Sequence, residues 1–111
     1  MKYTIFDMRG FDDYKSWLRE DRSKYEKINN LIISIQRDGP LKGIGKPEVL
    51  KNDYKGNYSR RIDDKNRLIY QYYENKQTGD SNTIIIGCKD HYSGGEKTQK
   101  QKCIDRIIVT E

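Results

Sequence analysis

Asn57-Tyr58-Ser59-Arg60-Arg61-Ile62-Asp63, Asp64-Lys65 and Asn66-Arg67-Leu68-Ile69-Tyr70-Gln71-Tyr72-Tyr73-Glu74 read as two strands joined by a tight turn. Aromatic and β-branched residues fill both runs, and the Asp-Lys pair between them is polar and short. A third strand is expected over Thr83–Lys89, after a polar, glycine-containing connection from Asn75 to Asn82. Side chains alternate across a strand. Tyr58, Arg60 and Ile62 therefore oppose Ser59 and Arg61, and Leu68, Tyr70 and Tyr72 oppose Arg67, Ile69 and Gln71. In the third strand Ile84, Ile86 and Cys88 oppose Ile85, Gly87, Lys89 and His91. If the first set in each strand is covered, Arg61, Arg67, Lys89 and His91 emerge together on an open face. Arg60 then falls on the covered side and has to reach a carboxylate or the sheet edge.

Upstream, Lys2–Phe6 reads as a short strand that Asp7 and Gly10 interrupt. Tyr14, Trp17 and Leu18 fall at helical spacing in a helix from about Asp12 to Glu20, and Asp21 is placed to end it and cap the next. That second helix runs from about Arg22 to Arg37 on the stripe Tyr25, Ile28, Leu31, Ile32 and Ile35, and Gly39-Pro40 stops it. Leu41–Lys55 reads as a loop in which Pro47 stiffens the backbone before Glu48. The order β-α-α-β-β-β predicts an α+β domain over residues 1–92, an antiparallel sheet with a two-helix hairpin on one face. Residues 93–111 form a basic C-terminal extension: a Gly-, Lys- and Gln-rich segment, then a strand-like run at 104–110 that suits an extra edge strand, a partner contact or an unordered tail alike.

The formal net charge of +5 over 111 residues favours a polyanionic partner. No apolar run is long enough to span a bilayer and the start has no secretory apolar stretch, so the expected compartment is the cytoplasm. Cys88 and Cys103 are too few for a disulfide scaffold and lack metal-ligand spacing; Cys88 reads as a buried thiol.

Glu48, Arg61, Arg67 and His91, with Lys46, Lys51 and Lys89 nearby, suit ribonuclease chemistry without a metal or other cofactor. A base takes the ribose 2′-hydroxyl proton, cations stabilise the phosphorane oxygens, and an acid protonates the leaving 5′-oxygen, giving a 2′,3′-cyclic phosphate. Carboxylate and imidazole fit the proton transfers, arginine fits the equatorial oxygens, and the acidic residues do not cluster into a magnesium cage. The same residues also fit a solvated or salt-bridged sheet face, so the residues alone leave the site open.

Gly45-Lys46-Pro47-Glu48-x-Leu50-Lys51, Gly56-x-Tyr58-Ser59-Arg60-Arg61-Ile62, Arg67-Leu68-Ile69-Tyr70 and Cys88-Lys89-x-His91-Tyr92 follow one another in fixed order. Asp13-Tyr14-x-x-Trp17, Asp21, Lys27-Ile28-Asn29 and Leu31-Ile32 precede them. Over about the first 92 positions this pattern resembles the YoeB/Txe family of bacterial toxin-antitoxin toxins. The resemblance implies a RelE-like fold and cleavage of mRNA in the A site of the bacterial ribosome. It implies neutralisation by a cognate antitoxin of the YefM/Axe type, and it suits a homodimer or a toxin-antitoxin hetero-oligomer. Carried over by motif, Glu48 is the general base, His91 the general acid, Arg67 the transition-state cation, and Tyr92 an ordering residue. Lys46, Lys51, Arg61 and, at the position of a usual arginine, Lys89 meet RNA. Tyr58 stands where the family usually has tryptophan, Asp90 where it usually has an aromatic, and the family normally ends at or just after the His-Tyr. A catalytically weak module that occupies ribosomal RNA, or represses its operon with the antitoxin, is the alternative. A basic interaction domain without an RNA role is a third.

Overall fold

The computed structural model describes residues 1–89; His91 and Tyr92, and the extension 93–111 with Cys103 and the expected terminal strand, lie outside them. Two helices, α1 (Met8–Glu20) and α2 (Arg22–Asp38), cover one face of a sheet. Among the described residues the sheet has five strands, β1 (Lys2–Phe6), β2 (Glu48–Val49), β3 (Tyr58–Arg61), β4 (Arg67–Asn75) and β5 (Asp80–Gly87), in the order β1-β5-β4-β3-β2. The expected α+β class is present with one strand more than the β-α-α-β-β-β order: Glu48–Val49, read as part of a loop, pairs with β3. The sheet is antiparallel from β5 to β2, but β1 lies parallel to β5, with Ile5 opposite Ile84. The parallel pairing is possible because a long stretch of chain, α1, α2 and the strands β2 to β4, separates β1 from β5. No helix of the described residues is long and apolar enough to cross a membrane.

α1 begins four residues before its expected start. The Asp7 carboxylate accepts the Gly10 amide at 2.6 Å and so opens the helix at Met8. Gly10, read as a breaker, sits in the first turn, where any Cβ would collide with the Ile85 carbonyl. Its missing side chain lets α1 lie directly on β5. Asp21 plays both expected parts: its amide donates to the Trp17 carbonyl and its carboxylate accepts from the Ser23 amide and hydroxyl. Gly39, at φ 95°, closes α2.

The core between layers holds Trp17, Ile28, Leu31, Ile32, Ile35, Ile62, Leu68, Tyr70, Ile85 and Cys88. A smaller cluster of Tyr54, Ile69 and Ile86, joined by Leu50 and Ile84, floors part of the opposite face. This reverses the expected assignment on β5, where Ile84 and Ile86 were to face the helices. The reason is a bulge. Ile69 pairs with Gly87 and Tyr70 with Ile85, which leaves Ile86 as an extra residue and lets both Ile85 and Cys88 face the helices.

Arg60 is on the helix side and 0% exposed. It reaches neither a carboxylate nor the edge. Nε donates to the Tyr70 hydroxyl, Nη1 to the Ser34 hydroxyl and the Ile44 carbonyl, and Nη2 to the Gly39 and Lys42 carbonyls, all at 2.7–3.0 Å. All five guanidinium donors are used. Burial pushes the Tyr70 hydroxyl above its ordinary pKa against the pull of Arg60, and its proton goes to the Pro40 carbonyl. Arg60→Met takes the donor away from the Gly39, Lys42 and Ile44 carbonyls, while the Tyr70 and Ser34 hydroxyls keep their bonds to Pro40 and Asp38. It is expected to cost about 3 kcal/mol or more in urea unfolding, with Arg60→Lys, which has three donors for five, intermediate.

Candidate RNA-cleaving face

Glu48 sits on β2 opposite Ser59, which pairs with Ile69, which pairs with Gly87. These four residues form one cross-strand row on the face away from the helices. Arg61 opposite Arg67 forms the next row on that face. The Ser59 hydroxyl donates to Glu48 Oε1 at 3.4 Å, and the Glu48 side chain is otherwise exposed. Glu48 and Arg67 belong to strands flanking β3, so their backbones lie about 10 Å apart across the sheet. Like charges directly opposite repel, and Arg61 and Arg67 handle this differently. Arg61 is exposed to solvent. Arg67 Nη1 folds onto the β3–β4 turn and donates to the Asp63 and Asn66 carbonyls at 2.7 and 3.2 Å.

Why the chain places Glu48 here follows from the loop before it. Arg60 holds Gly39, Lys42 and Ile44 by their carbonyls, and the Arg61 amide donates to the Gly45 carbonyl at 2.7 Å. Gly45 has φ 87°, and a Cβ there would stand 2.5 Å from Leu31 Cδ2, so only glycine fits. Lys46 follows at φ 50°, a left-handed conformation that a lysine adopts at some cost. Lys46 is exposed, and so is Lys51, whose carbonyl caps the turn Asn52–Tyr54. Buried Asn57 bridges that turn to the sheet: its side chain donates to the Tyr54 carbonyl and accepts from Gln71.

Thus the described residues bring Glu48, Arg61 and Arg67 onto one face, with Lys46 and Lys51 on the loops around β2. Lys89 departs from its expected place. Strand pairing ends at Gly87, and the Lys89 ammonium turns back to α1, where it pairs with Glu20 and the Ser16 hydroxyl and lies 5.0 Å over the Trp17 ring. Sequence reasoning missed Ser59 as the partner of Glu48 and Asp63 as the organiser of the turn that Arg67 grips. It also missed the hold of α1 on Cys88: the Asp13 carboxylate accepts the Cys88 amide at 3.0 Å and the Trp17 indole donates to the Cys88 carbonyl at 2.7 Å. The Asp13-Tyr14-x-x-Trp17 pattern was a signal for that hold. Burial pushes the Cys88 thiol up to about 12, well into the unreactive range. Among the described residues no group of three His, Cys, Asp or Glu side chains is placed to hold a metal ion.

A family model described as a YoeB-like toxin of bacterial type II toxin-antitoxin systems matches residues 6–92. The chain belongs to the YoeB toxin family. Toxin YoeB of Streptomyces coelicolor is 46% identical over 87 residues, 78% of this chain and 95% of that protein. The YoeB dimer from Staphylococcus aureus superposes with a TM-score of 0.71 at 42% identity, covering 81% of this chain and 97% of that one. The heterotetrameric YoeB-YefM toxin-antitoxin complex from the same organism gives 0.68 at 42% identity, covering 80% and 95%. The family-model match ends at Tyr92 and leaves residues 93–111 outside it.

Asp63 gives this face a pH signature. Partial burial pushes its carboxyl up, but hydrogen bonds from the Asn66 side chain and amide, the Lys65 amide and Lys24 outweigh that and bring it from 3.8 down to about 2. A depressed carboxyl contributes stability that is present above its unfolded pKa and lost as pH falls through the folded one. Between pH 3.8 and about 2 the protein is therefore expected to lose about 1–2 kcal/mol that an Asp63→Asn variant does not lose, read by urea unfolding at stepped pH.

Proposed function

We propose that this toxin is a ribosome-dependent endoribonuclease that cleaves mRNA in the A site by general acid-base catalysis without a metal, and so inhibits translation in the cytoplasm. The observation that carries the reading is the exposed Glu48 carboxylate in register with Ser59, one row from the Arg61–Arg67 pair on the same open face. A gap of about 10 Å between the Glu48 and Arg67 strands suits a ribose and its phosphodiester. In this reading Glu48 takes the 2′-hydroxyl proton and Arg67 faces the phosphorane oxygens with the part of its fork not spent on the turn. His91 protonates the 5′-oxygen and Tyr92 orders the site. Arg61, Lys46 and Lys51 meet phosphates, which makes ribosome binding steeply salt-dependent. The likeness to the Staphylococcus aureus complexes supports an antitoxin of the YefM type as partner, and a homodimer in its absence.

The competing reading, inhibition by occupancy of ribosomal RNA, draws on the same cations, since Lys46, Lys51 and Arg61 bind without Glu48 or His91. Primer extension on a translated mRNA in a reconstituted system separates them. The parent is expected to cut at A-site codons only when ribosomes are present, and Glu48→Ala and His91→Ala each to lower the rate about a hundred- to ten-thousand-fold. Inhibited translation over uncut mRNA sinks the nuclease. Neutralising Lys46, Lys51 and Arg61 together would then be expected to remove inhibition.

A further inference from the structure

On the face away from the helices the strand register sets Tyr3, Asn82 and Tyr73 in one row across β1, β5 and β4. Their neighbours fix that side: Phe6 and Tyr72 pack toward the helices, while Ile84 joins the cluster on the open face. Tyr3 is 48% exposed and Tyr73 52%. Neither ring stacks on another aromatic among the described residues. The Tyr3 hydroxyl donates to Met1 Sδ at 3.1 Å and the Tyr73 hydroxyl to Gln71 Oε1 at 3.3 Å. Met1 and Gln71 lie on opposite sides of the row, so the two rings lean apart along the sheet and leave Asn82 between them. The Asn82 amide has no partner among the described residues. Neighbouring strands lie about 4.8 Å apart, so the two tyrosine backbones are about 10 Å apart with Asn82 midway.

We propose that this row is a nucleobase subsite for single-stranded RNA, in which Tyr3 and Tyr73 offer ring faces to bases and the Asn82 amide meets a base edge. The proposal rests on the reading of the open face as an RNA face, and on no assignment of a catalytic group. Single strands are held by aromatic rings beside a cationic track, the rings stacking on bases and the cations following the backbone. Here the cations share the face: Arg67 stands six residues before Tyr73 on β4, about 20 Å along the strand. That length is about six nucleotides of stacked strand. On β4, β5 and β1 the rows between carry Gln71, Ile84 and Ile5, then Ile69 and Gly87, with no carboxylate to repel phosphates. Lys76, exposed in the turn after β4, adds a cation at the far end. A free amide carries both a donor and an acceptor, as a base edge does. Two separated ring faces with such an amide between them suit a flat polar ligand better than the apolar side chains of a protein partner.

The test is binding of a dye-labelled 2′-O-methyl octanucleotide to the full chain, read by fluorescence anisotropy over a series of salt concentrations. The probe has no free 2′-hydroxyl and is not cleaved, so the readout is independent of catalysis. Tyr3→Thr and Tyr73→Thr remove a ring and keep the strand preference. Each is expected to weaken binding about five- to a hundred-fold, while Tyr3→Phe and Tyr73→Phe bind like the parent. The salt slope is expected to stay parental in all four, because they touch no phosphate contact, and to flatten in Arg61→Ala. Asn82→Ala is expected to narrow the difference in affinity between adenine and uracil octanucleotides. Should one threonine variant not fold, the other and Asn82→Ala carry the test. Folded threonine variants with parental affinity overturn the subsite, and a flattened slope in Arg61→Ala then leaves the RNA face standing without it. A parent that does not bind the octanucleotide removes the RNA face and the subsite together. Threonine variants that bind RNA like the parent but lose self-association in sedimentation make the row a contact between copies, which also overturns the proposal.

Discussion

One buried cation organises this molecule. Arg60 is a full positive charge enclosed between α2 and the sheet; its donors all go to neutral oxygens, and its nearby carboxylate, Asp38, is reached only through the Ser34 hydroxyl. Removing a guanidinium from water is expensive unless all of its donors are met, and here three of the partners are carbonyls of one loop. The loop 39–45 consequently has little freedom. It ends at Gly45, whose carbonyl takes the Arg61 amide, and delivers the chain to Glu48. The exposed Glu48 carboxylate, proposed as the base, therefore stands on a two-residue strand whose approach is fixed from inside the core.

The two faces of β3 divide the labour between neighbours in sequence. Arg60 looks inward and spends every donor on structure. Arg61, one residue on, looks outward and makes no comparable commitment. Arg67 falls between the two: one nitrogen steadies the β3–β4 turn, and Asp63 and Asn66 shape that turn. A cation that is half anchored loses less side-chain entropy when it meets a phosphate than a free one does. Ser59 similarly limits the rotamers of Glu48 without burying it.

Much of this was legible in the sequence, because the signals were local. The α2 stripe, the double role of Asp21, the β3–β4 turn and the placement of Arg61 and Arg67 on one face all follow from periodicity and capping. The misreadings concern contacts between distant segments. Gly10 looks like a breaker until β5 is known to lie against it. The bulge at Ile86 leaves no mark in a run of three isoleucines, since a period-two reading cannot say which of them is surplus. Arg60 reads as awkward in the sequence, but its partners come from a loop sixteen to twenty-one residues away and from α2. Lys89 was assigned by strand alternation beyond the end of the strand, where alternation no longer holds.

The parallel pairing of β1 with β5 fixes the order in which the molecule can assemble. Among the described residues Lys2 through Phe6 have their only strand partners at Ser81 through Ile85, almost the full described length away. A chain emerging from synthesis can form its helical hairpin and then the β3–β4 turn, with Arg61 and Arg67 already side by side, while β1 has no strand to join. The same late strand carries Cys88 to Asp13 and Trp17. The cationic face is thus made early from near neighbours, whereas among the described residues the sheet closes only with β5.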